Sequence, residues 1–191
     1  MEPTCPANVL DGHLYTKEKR QELYGSVAGG GGSMKPEQFQ REAIIAGTGR
    51  PCPKTNARIN TRQHTLSHIA HPMKNKDGFD YTEDFDGKQE FNQTTVWINM
   101  KSVVGTGGAQ TRALRECYHH VEAQLNYLLK SKKQDYFANV FDGDEAARQM
   151  RLFRYLLDLP EFDKVKDHVY VGDLKGYFAW LRLFISEASP Q

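Results

Sequence analysis

Residues 94–101, Thr-Thr-Val-Trp-Ile-Asn-Met-Lys, are the stretch of this chain that most clearly indicates a fold. β-Branched, aromatic and apolar residues dominate it, which is typical of a strand inside a sheet. Because successive side chains of a strand point to opposite faces, the stretch predicts two different faces. One face carries Val96, Ile98 and Met100, and the other carries Thr95, Trp97, Asn99 and Lys101.

The residues after this strand alternate between helical and extended patterns. Residues 102–109 form a glycine-rich turn, and apolar residues at helical spacing predict a long helix from about Gln110 to Lys130. The chain then predicts a strand at Tyr136–Phe141, a helix at 145–158, a strand at His168–Val171 and a helix at 174–187. Strands that alternate with helices favour an α/β fold with some parallel pairing. We therefore expect a central mixed sheet flanked by helices.

The residues before the strand are less regular. A helix is predicted from Met34 to Ala46 because Phe39, Ala43 and Ile44 share one face. Glycine and proline interrupt residues 47–60, which predicts an irregular, basic loop. Residues 61–71 predict one or two helical turns, which Pro72 ends.

Residues 29–33, Gly-Gly-Gly-Gly-Ser, directly precede Met34. This composition is typical of an engineered flexible linker, with a natural glycine-rich loop as the alternative. The sequence therefore predicts a fusion of three parts: a docking segment or partner peptide at 1–28, the linker at 29–33, and a single α/β domain at 34–191. Segment 1–28 has too few apolar residues to fold alone, so we expect it to dock on the domain.

Composition indicates a globular intracellular protein. Hydrophobic residues make up 39% of the chain and aromatic residues 11%, which fits a packed core. No apolar run has the length of a membrane span, and no signal-type stretch follows Met1. The three cysteines include no CxxC pair, which favours a reducing compartment, the cytoplasm or the nucleus.

Charge is unevenly distributed along the chain. Residues 34–76 contain eight lysines and arginines against two glutamates, and residues 77–91 contain six acids against one lysine. A basic stretch can follow a phosphate backbone, and a compact acidic stretch can hold a divalent metal. Ordinary solvated loops carry similar runs of charge. The two runs are adjacent, which is the reason for reading them together as a nucleic-acid and metal site.

Asp86, Asn99 and Lys101 form the sharpest candidate site. Asp86 lies in the turn sequence Asp-Phe-Asp-Gly that precedes the predicted central strand. Asn99 and Lys101 are two residues apart on that strand and project to the same face. Such a face can present an oxygen ligand to a metal and an ammonium group to a water molecule or a phosphate.

At these residues the chain resembles the PD-(D/E)xK nuclease superfamily, the fold of many restriction endonucleases. That family has an Asp, then an acid-x-Lys motif on the next strand, then a helix packed on the sheet. The resemblance covers roughly residues 80–142, and this chain departs from it by having Asn99 at the position of the acid.

The resemblance implies a Mg²⁺-dependent endonuclease that hydrolyses phosphodiester bonds. Asp86 and Asn99 would hold the metal, Glu90 or Glu83 would compensate for the missing acid, and Lys101 would orient or activate the attacking water. The implied substrate-binding residues are Gln110 and Arg112 at the start of the long helix, with Arg58 and Arg62 in the basic stretch.

Several alternatives stay open from the residues alone. The domain can be a non-catalytic interaction module that binds segment 1–28, with the linker raising the effective concentration. The glycine-rich turn at 105–112 can cradle phosphate, although its spacing is not that of a nucleotide-binding loop. His64, His68 and His71 with Cys52 have a spacing that zinc can use. A second metal site or a set of helix caps is indicated by Asp142, Asp144 and Asp173.

Overall fold

A computed structural model describes residues 34–68, 81–92, 94–133 and 135–185. The predicted docking segment and linker, together with His71, lie outside these residues. In chain order the elements are α1 (Met34–Thr48), β1 (Arg58–Asn60), β2 (Thr65–Ser67), β3 (Thr82–Asp84), β4 (Gly87–Phe91), β5 (Thr94–Ser102), α2 (Gly108–Lys130), β6 (Tyr136–Asp142), α3 (Asp144–Leu157), β7 (Val169–Gly172) and α4 (Leu174–Phe184). None of the helices among the described residues has the length and apolar character needed to cross a membrane.

The strands form two sheets. The larger sheet has the order β4-β5-β6-β7, in which β4 is antiparallel to β5 while β5, β6 and β7 are parallel. The smaller sheet has the order β2-β1-β3 and is antiparallel throughout. The expected α/β fold with a mixed sheet is therefore confirmed.

The two predicted faces of β5 are the two core faces of the larger sheet. Val96, Ile98 and Met100 belong to a core that also contains buried residues of α1 and α4. Trp97 belongs to the opposite core, which α2 and α3 cover. Alternation in the sequence thus predicted the division of side chains between the two faces, and the structure shows that a helix layer packs on each face.

The prediction of helical turns at 61–71 is wrong as far as the described residues reach. Residues 61–64 form a turn, and Thr65–Ser67 is strand β2, paired with β1. The side chain of Asn60 accepts hydrogen bonds from the main-chain nitrogens of Arg62 and Gln63. His64 has a φ of 55°, a left-handed conformation that a right-handed helix does not accommodate.

Strand β4 was not predicted, and it lies at the edge of the larger sheet. Its outward-facing main-chain groups are covered by the segment before it. Lys88 N donates to the Pro53 carbonyl at 3.1 Å, and Arg50 donates to the Glu90 carbonyl at 3.0 Å. Arg41 donates to the carbonyl of Asp86, directly before the strand, at 2.7 Å. The basic segment therefore closes an edge that would otherwise be free to pair with another strand.

Candidate active site

Asp86 lies in the bend between the two sheets, one residue before β4. Its carboxylate Oδ2 accepts a hydrogen bond of 2.6 Å from the main-chain nitrogen of Met100 on β5. Its carbonyl accepts from Arg41, so both the side chain and the main chain are anchored. The register of the β4–β5 hairpin pairs Gly87 with Ile98, which brings Asp86 to the carboxyl-terminal half of β5.

Lys101 lies near the end of β5, on the face that also carries Trp97 and Asn99. The side chain is exposed and has no hydrogen bond or ion pair within the described part of the chain. Its charge nevertheless acts on Asp86. The structure thus places the two predicted residues in electrostatic reach of each other.

Glu37 is a third charged group of the site, and the sequence analysis did not identify it. The same nitrogen of Arg41, Nη2, donates to Glu37 Oε1 at 2.9 Å and to the carbonyl of Asp86 at 2.7 Å. An acid in the first turn of a helix is common for electrostatic reasons, so its sequence position carried no functional signal. Only the fold brings α1 against the start of β4.

The surroundings of Asp86 disfavour its charged form. Burial raises the pKa of this carboxyl above its ordinary value. The hydrogen bond from Met100 and the positive charge of Lys101 lower this pKa. The negative charge of Glu37 raises it further, and the positive charge of Arg41 lowers it. A cation at this position would favour the carboxylate, because it would replace the missing solvation.

Asn99 lies in a buried network and not on an open surface. It is 1% exposed, and its amide nitrogen donates to Asn139 Oδ1 at 3.3 Å and lies 3.4 Å from His120 Nδ1. Asn139 and Gln124 exchange two further hydrogen bonds, of 2.8 and 3.1 Å. This amide network joins β5 and β6 to α2 beneath the position of Lys101.

The structure does not bring Glu90 to Asp86. Glu90 is exposed and forms an ion pair of 2.6 Å with Lys88. It lies four residues along the strand, a distance of about 13 Å at the usual rise. Glu83, the other acid considered, is on β3 and exposed.

The predicted substrate-binding residues are divided between two regions. Gln110 and Arg112 lie in the first turn of α2, where Arg112 is exposed. In the smaller sheet, Arg58 forms an ion pair with Asp84. Arg62 is exposed on the β1–β2 turn, and its guanidinium carbon lies 3.5 Å from the centroid of the Tyr81 ring.

The structure does not gather the alternative zinc ligands among the described residues. His64 Nδ1 lies 3.3 Å from Lys130 Nζ, and the His68 ring packs against Trp97. Cys52 is buried beside Arg41. Within the described ranges, no group of three or more His, Cys, Asp and Glu side chains is placed to hold a metal ion.

Of the three aspartates at the ends of the parallel strands, Asp173 caps a helix, and the other two accept hydrogen bonds from nearby main-chain nitrogens. Asp173 accepts from Gly176 N at the start of α4. Asp144 accepts from Glu145 N and from Gly105 N, so it also ties the glycine-rich turn to α3. Asp142 is 2% exposed and accepts from Gly143 N. Since the turn uses Gly105 N internally, that nitrogen is not available to a phosphate.

Comparison with known proteins finds no matching family model, no matching curated protein and no matching solved structure. The site therefore has to be interpreted from its own chemistry. It consists of two carboxylates, from Glu37 and Asp86, the ammonium group of Lys101, which is unpaired within the described part of the chain, and Arg41, which links the two acidic segments.

Proposed function

We propose that this chain is a metal-dependent, nuclease-like domain that binds nucleic acid and hydrolyses its phosphodiester bonds. The observation that carries the proposal is the position of Asp86 at the end of the β4–β5 hairpin. Its carboxylate accepts from Met100 N, next to Lys101, and Arg41 links its carbonyl to the carboxylate of Glu37. Two carboxylates beside an ammonium group can bind a divalent cation and a phosphate at the same time. An intracellular location belongs to the same proposal, since that is where such a domain meets its substrate.

The order of elements around the site supports a restriction-endonuclease-like arrangement. Helix α1 comes first, β4 begins directly after Asp86, β5 carries Lys101, and α2 packs on the same face of the sheet as Trp97. From Asp86 onward, this order agrees with the Asp, the lysine-bearing strand and the packed helix of the PD-(D/E)xK pattern. Where that pattern has an acid, this chain has Asn99, and Glu37 supplies a carboxylate from the helix.

The residues of the site fit Mg²⁺ by their chemistry. This ion commonly takes one or two protein carboxylates and fills its other positions with water and phosphate oxygens. Glu37 and Asp86 meet that requirement without a third acid, and the raised pKa of Asp86 reflects a burial that a cation would offset. A bound Mg²⁺ would neutralise phosphate charge and lower the pKa of a coordinated water.

The remaining groups have roles that follow from their positions. Lys101, which has no partner among the described residues, is free to bind the phosphate or orient the attacking water. Arg41 holds Glu37 and the main chain of Asp86 with one nitrogen, so it fixes the spacing of the two acids. Gln110 and Arg112, in the first turn of α2, are proposed contacts to the substrate backbone.

Cleavage of a supercoiled plasmid by the full chain, with Mg²⁺, Mn²⁺ or EDTA, tests the proposal. We expect Glu37→Gln, Asp86→Asn and Lys101→Met each to reduce the rate by about 100-fold or more, because each removes a charge that acts on the reacting phosphate. Glu90→Gln and Lys88→Met are matched controls, since this ion pair lies on the same hairpin away from the site. Both controls should cleave within about twofold of wild type.

Cleavage that persists in EDTA, or that survives Asp86→Asn, would contradict the proposal. An inactive wild type that also fails to bind nucleic acid would favour the interaction module instead. In that case the partner to test is segment 1–28, supplied as a separate peptide to residues 34–191.

A further inference from the structure

A cluster of cations lies at the carboxyl-terminal end of α2, away from the candidate active site. Lys130 is in the last turn of the helix, and Lys132 and Lys133 follow it directly. The β1–β2 turn brings Arg62 to the same place, because His64 of that turn lies 3.3 Å from Lys130 Nζ. We call Arg62, Lys130, Lys132 and Lys133 the α2-end cluster.

The cations of this cluster are not neutralised within the described residues. None of the four forms an ion pair there. The nearest acid along the chain is Asp135, and its carboxylate accepts from Tyr127 at 2.6 Å and from Trp97 at 3.2 Å. A lysine in the last helical turn is favourable for α2, but that effect does not extend to Arg62.

The segments that carry the cluster have a defined shape. Asn60 fixes the β1–β2 turn by accepting from two of its main-chain nitrogens, and Arg62 packs against Tyr81. The Ser131 hydroxyl accepts from Lys133 N at 3.0 Å, which holds the turn after α2. The charges are therefore presented on fixed backbone, which lowers the entropy lost when a ligand binds.

The distance from the candidate active site fits a nucleic acid that contacts both places. Strand β6 runs parallel to β5 and pairs Phe141 with Lys101. Asp135, which follows Lys133 by two residues, lies six residues before Phe141, about 20 Å away at the usual rise of a strand. That length corresponds to about six base steps of a duplex. Residues 118–129 of α2 include no lysine or arginine, so phosphate contact is expected at the two ends.

We infer that the α2-end cluster is a second phosphate-binding surface, which holds the backbone of a nucleic acid about six base steps from the site of cleavage. The inference rests on the proposed function, because it takes nucleic acid as the polyanion. The ammonium and guanidinium groups of the α2-end cluster lie on fixed backbone and have no ion pair among the described residues. They can therefore bind successive phosphates of a nucleic acid, and each contact releases counterions. Phosphate contacts of this kind position the substrate and carry no sequence information.

Binding of a fluorescent 24-base-pair DNA duplex to the full chain, in EDTA and from 50 to 200 mM NaCl, tests the inference. Lys132→Gln/Lys133→Gln should make the slope of log K against log salt smaller in magnitude by about 2 and lower the affinity about tenfold or more at 100 mM salt. The matched control is Lys164→Gln/Lys175→Gln, which removes the same charge from exposed lysines elsewhere. The control should keep the wild-type slope.

Further measurements separate the possible failures. The melting temperature of Lys132→Gln/Lys133→Gln should not fall, because neither lysine forms an ion pair with another described residue. A fall would mean that the two lysines stabilise the fold, which would overturn a role confined to binding. If wild type binds and cleaves DNA but the variant keeps the wild-type slope of log K against log salt, the inference is overturned and the proposed function is not. Wild type that binds no duplex would overturn the proposed function as well. Binding to vesicles that contain anionic lipid should be the same for wild type and for Lys132→Gln/Lys133→Gln. If the variant lost binding to vesicles but not to DNA, nucleic acid would be overturned as the partner.

Discussion

Asn99 is held in the buried network through its amide nitrogen. This nitrogen donates to Asn139 Oδ1 and lies 3.4 Å from His120 Nδ1. Asn99→Asp would place a carboxylate oxygen against Asn139 Oδ1 and bury its charge, so we expect a loss of about 2 to 4 kcal/mol in the free energy of unfolding. Urea denaturation at pH 7 measures it, and Asn56→Asp, at an exposed position, is the control. A cost equal to that of the control would show that the network does not constrain residue 99.

The sequence pattern correctly predicted that Asn99 lies on a strand and on the same face as Lys101. It did not predict that the Asn99 side chain is buried in a hydrogen-bond network and is not open to a metal ion. The residues it contacts, His120 and Asn139, are 21 and 40 residues further along the chain. No local pattern reports such pairings, because they depend on how β5, β6 and α2 pack. Glu37 was missed for the same reason: its meeting with Asp86 depends on Arg41, whose two contacts are 4 and 45 residues away.

At the scale of elements, the hairpin that carries Asp86 depends on close packing against α1. A Cβ atom on Gly87 would lie 2.8 Å from Cys52 Sγ and 2.9 Å from Arg41 Nη1. We therefore expect Gly87→Ala to displace Arg41, to cost about 1 to 3 kcal/mol of unfolding free energy and to slow any cleavage. Gly108→Ala is the control, because nothing lies within 4 Å of its Cβ position. That change should be neutral or stabilise α2 by up to about 1 kcal/mol. Equal effects of the two changes in urea denaturation would contradict this account.

Strands with strong patterns were predicted, and strands that depend on their neighbours were not. Strand β5 was recognised because apolar residues alternate over most of its length, and β6 because most of its residues are aromatic or apolar. Strand β4 reads Gly-Lys-Gln-Glu-Phe, which has no strand pattern, although Gln89 is fully buried. Gln89 is satisfied by Thr48, Arg50 and Tyr177, which come from α1, the following segment and α4. The polar strand is stable because of those contacts, not because of its own sequence.

At the scale of the whole molecule, two of the buried titratable groups among the described residues, His120 and Asp142, have opposite effects on stability. Burial and the charge of Lys101 lower the pKa of His120 to about 3, below its ordinary value of 6.5. This group favours folding above pH 6.5, and its contribution is lost as the pH falls towards 3. Burial, and then the charge of Asp173, raise the pKa of Asp142 to about 7 from 3.8. That group favours folding below pH 3.8, and its contribution is lost as the pH rises towards 7.

The two contributions should cancel over the range in which both groups titrate. From about pH 4 to pH 6.5 each changes the free energy of unfolding by about 1.4 kcal/mol per pH unit, with opposite signs. Asp142→Asn keeps an acceptor for Gly143 N and removes one slope, so its stability relative to wild type should rise with pH and level off above pH 7. His120→Gln removes the other slope, so its stability relative to wild type should fall as the pH rises from 4 to 6.5. Urea denaturation at half-unit steps from pH 4 to pH 8 measures both differences. All other titratable groups are shared with wild type. If neither variant's difference in unfolding free energy from wild type changed with pH, neither residue would have the shifted pKa that its burial implies.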